Sequence, residues 1–166
     1  MSNENNVMMN ETAENTAIAI MGTRDELATG VTPAELMNPT QSQMYCTLKD
    51  DGTPKSKGMI YNAINNPDKK IADVIGEVIL LKNIVAHTVD LVDEQTGEMI
   101  QALRVILIDD KGISYEAVSG GIANSLSRLL QIYGQPATWK EPIKIKARQK
   151  STRNGNNKVT TLEVVL

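Results

Sequence analysis

From Lys57 to the C-terminus, the order of apolar and polar positions predicts mostly β-structure. Lys57–Ile64 predicts a short strand, closed by the turn-forming run Asn65-Asn66-Pro67-Asp68. Gly76–Val92 is long and rich in β-branched residues, and its apolar positions fall on both parities, as in a strand that bends or bulges midway. Asp93–Gly97 is a hairpin loop and Met99–Ile108 the return strand. The tight turn Asp109-Asp110-Lys111-Gly112 then leads into a short strand, Ile113–Val118.

One segment breaks the β pattern. Ser119-Gly120-Gly121 opens a helix that Gly134 ends, with Gln135-Pro136 just beyond. A Ser that can accept from the first free N–H groups and a Gly followed by Pro are helix start and stop signals. Ile122, Leu126, Leu129, Leu130 and Tyr133 share one face, which places Tyr133 in the core; Ser127, Arg128 and Gln131 take the other. Pro142–Gln149 alternates strictly, Ile143, Ile145 and Ala147 against Lys144, Lys146 and Arg148. Ser151–Asn157 contains an Asn-Gly turn, and Val159–Leu166 returns as the last strand.

Residues 1–42 predict a flexible acidic and polar tail, because a segment rich in Asn, Glu, Thr and Met buries too little surface to offset the entropy of ordering. Residues 43–166 predict the folded domain. Its order is an extra N-terminal strand, three meandering strands, a helix and a hairpin. That is a mainly β fold, an OB-like five-stranded barrel with one helix between strands three and four. A generic small α+β barrel or sandwich carries the same string of elements. OB barrels bind oligonucleotides, oligosaccharides or proteins, so the fold leaves function open.

Composition narrows the choice. With 166 residues, 41% of them apolar, the chain can bury one real core. Ile, Val, Leu and Met must fill it, since the aromatics are only Tyr45, Tyr61, Tyr115, Tyr133 and Trp139 and there is no Phe. A net charge of −3 argues against a polyanion until it is resolved along the chain. Residues 1–50 hold two basic against seven acidic side chains, whereas residues 139–166 hold seven basic against two acidic. Such asymmetry marks a polyanion-binding end, although a solvated basic hairpin has the same composition. The single Cys46 excludes an internal disulfide and fits a reducing compartment. No run approaches the roughly 18–20 apolar residues of a membrane span, and the first residues lack the basic-then-apolar order of a secretory signal. A cytoplasmic protein with no membrane partner is expected.

The stretches GISYEAVSGGIANSLSRLLQIYG and EPIKIKARQKSTRNGNNKVTTLEVVL carry a likeness. An acidic turn ending in Gly112 is followed by a short strand with Tyr115, a small-residue helix entry at Ser119–Gly121 and an apolar-faced helix. Two last strands then flank a Ser/Gly/Asn/Lys-rich loop. In this the chain resembles the single-stranded DNA-binding proteins of small phages with protein-primed replication. The likeness spans about residues 57–166 and is better from Asp109 on. It implies sequence-indifferent coating and protection of displaced strands during phage or mobile-element replication. It also implies base stacking by tyrosines, with Tyr115 matching best and Tyr61 loosely.

Single-strand binding needs a cationic track for phosphates and flat faces for bases. Tyr61, Tyr115 and Trp139 are the candidate platforms. Tyr115 shares its strand face with Ile113 and Ala117, a pattern a core position also shows, and Trp139 could equally pack beneath its own loop. For the phosphates the last hairpin stands out, with Arg148, Lys150, Arg153 and Lys158 around a flexible tip. Lys82 and Arg104 each interrupt an apolar strand, so each faces either the groove or solvent. Self-association along DNA would add to a modest affinity per monomer. The acidic tail is expected to contact replication proteins or its own basic groove.

No catalytic centre, cofactor or metal site is legible. His87 is the only histidine and has no set of Cys partners. There is no phosphate-cradling GxxxxGK[ST] and no GxSxG elbow. The alternative to a DNA binder is a non-enzymatic interaction or assembly module, a phage accessory protein without DNA affinity.

Overall fold

The computed structural model describes residues 44–166; the segment 1–42 assigned to a tail, and its boundary with the domain, lie outside the described residues. The order is β1 (Met44–Cys46), α1 (Pro54–Asn65), β2 (Lys69–Lys70), a 3-10 turn at Ile71–Val74, β3 (Val78–Val92) and β4 (Met99–Asp109). Then come β5 (Ser114–Val118), α2 (Gly120–Tyr133), a 3-10 turn at Pro136–Thr138, β6 (Ile143–Ser151) and β7 (Lys158–Val164). The strands form one sheet in the order β2-β5-β4-β3-β6-β7, with β1 beside β3. Where five core strands, an extra strand and one helix were expected, the described residues hold seven strands and two helices.

β3 organises the sheet. One edge pairs with β4 from Leu81 to Val92, while the other pairs with β6 over Val78–Leu81 and with β1 over Val85–His87. Leu81 lies opposite Asp109 and Asn83 opposite Ile108, so Lys82 is an extra residue, a β-bulge. The bulge explains the apolar residues on both parities. Ile79 and Leu81 before it and Ile84 and Ala86 after it all enter the same core. The sheet curls into a half-barrel around that core, which Ile122, Leu126 and Leu130 of α2 fill from the inside. Full burial of such aliphatic side chains is worth about 1.5–3 kcal/mol each.

The strand expected at Lys57–Ile64 is instead the helix α1. Thr53 caps it, its Oγ1 accepting from Ser56 N at 3.2 Å, while the Asp51 carboxylate accepts from Thr53 N at 2.9 Å. The Thr53 hydroxyl also donates to Asp51 Oδ1 at 2.6 Å, and the hydroxyl and backbone donors together hold the Asp51 carboxyl down at about 2. Pro54 supplies a preset φ in the first turn. Ile60, Ala63 and Ile64 then fall on one stripe and pack on the outer face of the sheet against Cys46, Val85, Ile106 and Ile108. The sheet therefore has a core on each face.

The half-barrel does not close by strand pairing between β7 and β5. Instead the start of α2 packs against β7. A Cβ on Gly121 would sit 2.2 Å from the Thr160 carbonyl oxygen and 2.7 Å from a Val159 methyl. Gly121 is thus required by close backbone approach. Tyr133, expected in the core, is 42% exposed at the last turn of α2, and Ser127, expected on the polar face, is buried.

Gly121→Ala is expected to lower stability by about 1–3 kcal/mol through overpacking against backbone, read as a lower urea midpoint. Gly120→Ala, whose Cβ would meet nothing within 4 Å, should leave the midpoint unchanged or slightly raised.

Candidate nucleic-acid interface

The β6–β7 hairpin presents most of the predicted cations. Register puts Lys146 opposite Glu163, Arg148 opposite Thr161, Lys150 opposite Val159 and Ser151 opposite Lys158. Strict alternation therefore sets Lys144, Lys146, Arg148 and Lys150 on one face and Lys158 on the other. Glu163 accepts from Arg148 at 2.6 Å and lies 3.6 Å from Lys146, so two of these charges are locally compensated. Lys150, Arg153 and Lys158 are exposed and form no ion pair among the described residues. The tip closes through Thr152 N donating to Asn157 O at 2.8 Å and Gly155 N to Thr152 O at 2.8 Å, with Gly155 at φ 72°. The result is a short positive fork projecting from the domain.

β2 faces the hairpin across the open seam. Lys70, Ile71, Val118, Ile122 and Thr160 border one concavity of about 320 Å³. Lys69 lies 5.8 Å from the centre of the Tyr115 ring. Asp68 holds this segment in place: its Oδ2 accepts from Ser114 N and Ser114 Oγ, both at 2.8 Å. Those bonds lower the Asp68 pKa. Lys69 and Lys70 are both exposed, and both escaped the sequence reading. The only signal was a Lys-Lys pair after Pro67-Asp68, and nothing in the sequence said that it would pair with β5.

A second groove, about 530 Å³, runs between α1, the bulge in β3 and the connection from α2 to β6. Here the structure brings together two predicted residues, Lys82 and Trp139, with Met59 and Lys140. Trp139 Nε1 donates to the carbonyls of Gly134 and Tyr133 at 3.0 and 3.2 Å, and the side chain also packs against the inner core.

The other expected site residues lie apart from both grooves or are committed elsewhere. Tyr61 is 64% exposed on α1. Tyr115 is buried, with its hydroxyl 3.3 Å from Asp109 Oδ2, and burial with the nearby Asp109 charge raises its pKa. It offers no free ring face to a base. Arg104 is tied to Glu116 Oε2 through Nε at 3.0 Å and Nη2 at 2.6 Å, and to Ile64 O through Nη1 at 2.8 Å. That guanidinium joins the end of α1 to the outer face of the sheet. Among the described residues no His, Cys, Asp or Glu cluster is placed to hold a metal ion, and no helix is long and apolar enough to cross a membrane.

A curled, mainly β domain with an exposed basic hairpin has the local charge that a polyanion-binding protein needs, though shape and charge alone do not assign one. The family model described as Phage Single-stranded DNA-binding protein, of the Phi29 type, matches residues 40–164, and the chain belongs to that family. Single-stranded DNA is the partner that membership implies, with a binding rather than a catalytic role. No curated protein and no solved structure gives a match.

His87 lies opposite Arg104 in the β3–β4 ladder. Its Nδ1 is 3.3 Å from the Thr88 carbonyl, which can only accept, so the neutral ring carries its proton there; its buried Nε2 has no partner. Burial, more than the Arg104 charge, lowers the His87 pKa below 6.5, against the opposing pull of that carbonyl. The unfolded chain then binds this proton more readily than the folded one. The contribution of neutral His87 is full above about pH 6.5 and is lost as pH falls below it. Urea midpoints measured from about pH 7.5 down to 5.5 are expected to fall, and His87→Gln should flatten that dependence.

Proposed function

We infer that this protein coats displaced single strands without regard to sequence, protecting them during phage or mobile-element DNA replication. Its half-barrel is read as OB-like: β3, β4, β5, α2, β6 and β7 follow one another as three strands, a helix and a hairpin. The β6–β7 connection is then one of the loops that border the ligand groove of such barrels. Phosphates run between that hairpin and β2. Lys150, Arg153 and Lys158 supply charge on one side, and Lys69 and Lys70 on the other. The observation that carries the reading is the uncompensated cluster at the hairpin tip, in a chain whose Glu163 already occupies Arg148 and Lys146.

Arg148, held by Glu163, serves as a secondary contact. Arg104 and Tyr115 are assigned to the fold. Tyr61, whose ring is free on α1, remains a stacking platform at the edge of the path. With so few exposed aromatics, charge carries most of the affinity. Each phosphate contact on a single strand contributes about −0.7 to the slope of log K against log salt.

Gel shifts with a long oligo-dT and a matched duplex, each at low and moderate salt, test this. Oligo-dT should bind in preference to duplex and weaken steeply with salt. Lys150→Glu with Arg153→Glu should weaken binding at least about tenfold at low salt and flatten the salt slope by about 1.4. Equal binding to duplex, or charge reversal without effect, overturns the assignment.

A further inference from the structure

We propose that the groove between α1 and the α2–β6 connection is a slot for a nucleobase, with Trp139 as its stacking wall and Lys82 and Lys140 beside the attached phosphate. The proposal rests on the single-strand reading and adds a base-binding site away from the basic hairpin. The groove of about 530 Å³ lies within the roughly 300–1,000 Å³ range of small-ligand sites. Met59, Ile60, Pro136 and Trp139 make much of its lining apolar. Glu141 shares that lining with the lysines, so a flat base suits it better than a bare phosphate.

Two features make the slot prepared rather than merely open. The indole is already ordered by its two carbonyl acceptors and by the core behind it, so stacking a base requires little further loss of side-chain freedom. Lys82 is the extra residue of the bulge, and both it and Lys140 are exposed and outside every ion pair among the described residues. The bulge therefore does two jobs: it keeps β3 facing the core and sets a cation on the lining of the groove that Trp139 also borders.

Trp139 is the only tryptophan, so its emission reports this groove alone. The test titrates the full chain with oligo-dT and with an abasic oligonucleotide of equal length and charge, reading emission and gel shift together. Oligo-dT should quench Trp139, and the abasic strand should bind with emission unchanged. Met59→Asp and Lys82→Glu change exposed positions and spare the core. Each should reduce the quenching and weaken oligo-dT binding by roughly fivefold or more, the low end of one stacked base. Shifted oligo-dT with no change in emission, equal quenching by the abasic strand, or variants that quench like the parent would overturn the slot while leaving hairpin binding intact. No oligo-dT shift at all would overturn the single-strand reading along with it.

Discussion

The extra residue at Lys82 is the feature on which the rest of the structure depends. A strand that buries apolar residues on both parities cannot do so in plain alternation against a single core, because successive side chains point to opposite faces. By inserting one residue, β3 resets its parity. Ile79 and Leu81 then face the same interior as Ile84 and Ala86, while Val85 supports α1 on the outside. The same strand divides one of its edges between β6 and β1. Curling of the sheet, seating of α2 within it and attachment of α1 outside all follow from that arrangement.

Covering both faces changes which surfaces the domain leaves open. The outer face of β3 and β4, which an OB-like barrel without α1 would leave open, is occupied by Ile60 and Ala63. Concave surfaces persist at the margins, among them the seam between β2 and β7, the groove under α1 beside Trp139, and a third of about 440 Å³ between α1 and the β4–β5 turn. Charge is divided in the same way. Arg104 and Arg148 face carboxylates at 2.6 Å, so geometry, not basic-residue count, decides which cations are left without a carboxylate partner. The exposed Arg148–Glu163 pair contributes little to stability, whereas Arg104, mostly buried, also ties α1 to the sheet; both pairs neutralise charge locally. A chain with net charge −3 can in this way still present a local cationic surface.

Much of this was legible in the sequence, for identifiable reasons. The hairpins, the bulged long strand and the helix ending at Gly134 all rest on local signals: period-two alternation, turn residues and caps. The basic fork at Lys150, Arg153 and Lys158 was legible because charge clusters along a short hairpin. Helix α1 was not. Met59-Ile60-Tyr61 reads as an apolar strand, and the Thr53-Pro54 cap doubles as turn punctuation; only burial of Ile60, Ala63 and Ile64 against Ile106 and Val85 decides for a helix. Tyr133 was misplaced because helical spacing puts it on the apolar face, while the end of α2 leaves it 42% exposed.

The sequence by itself determined the class of protein: a mainly β domain, one capped helix, a basic C-terminal hairpin and a family likeness carried by its second half. Each depends on neighbours within a few residues or on composition. What only the tertiary structure decided is which of those residues are available. Tyr115 and Arg104 occupy strand positions that sequence leaves equally consistent with surface or interior. Asp109, Glu116 and the end of α1, from 6 to 40 residues away, settle them. Lys82 and Trp139 are 57 positions apart in the chain and yet line one groove. Contacts at such separations follow from how the sheet curls, and no local pattern of side chains encodes them.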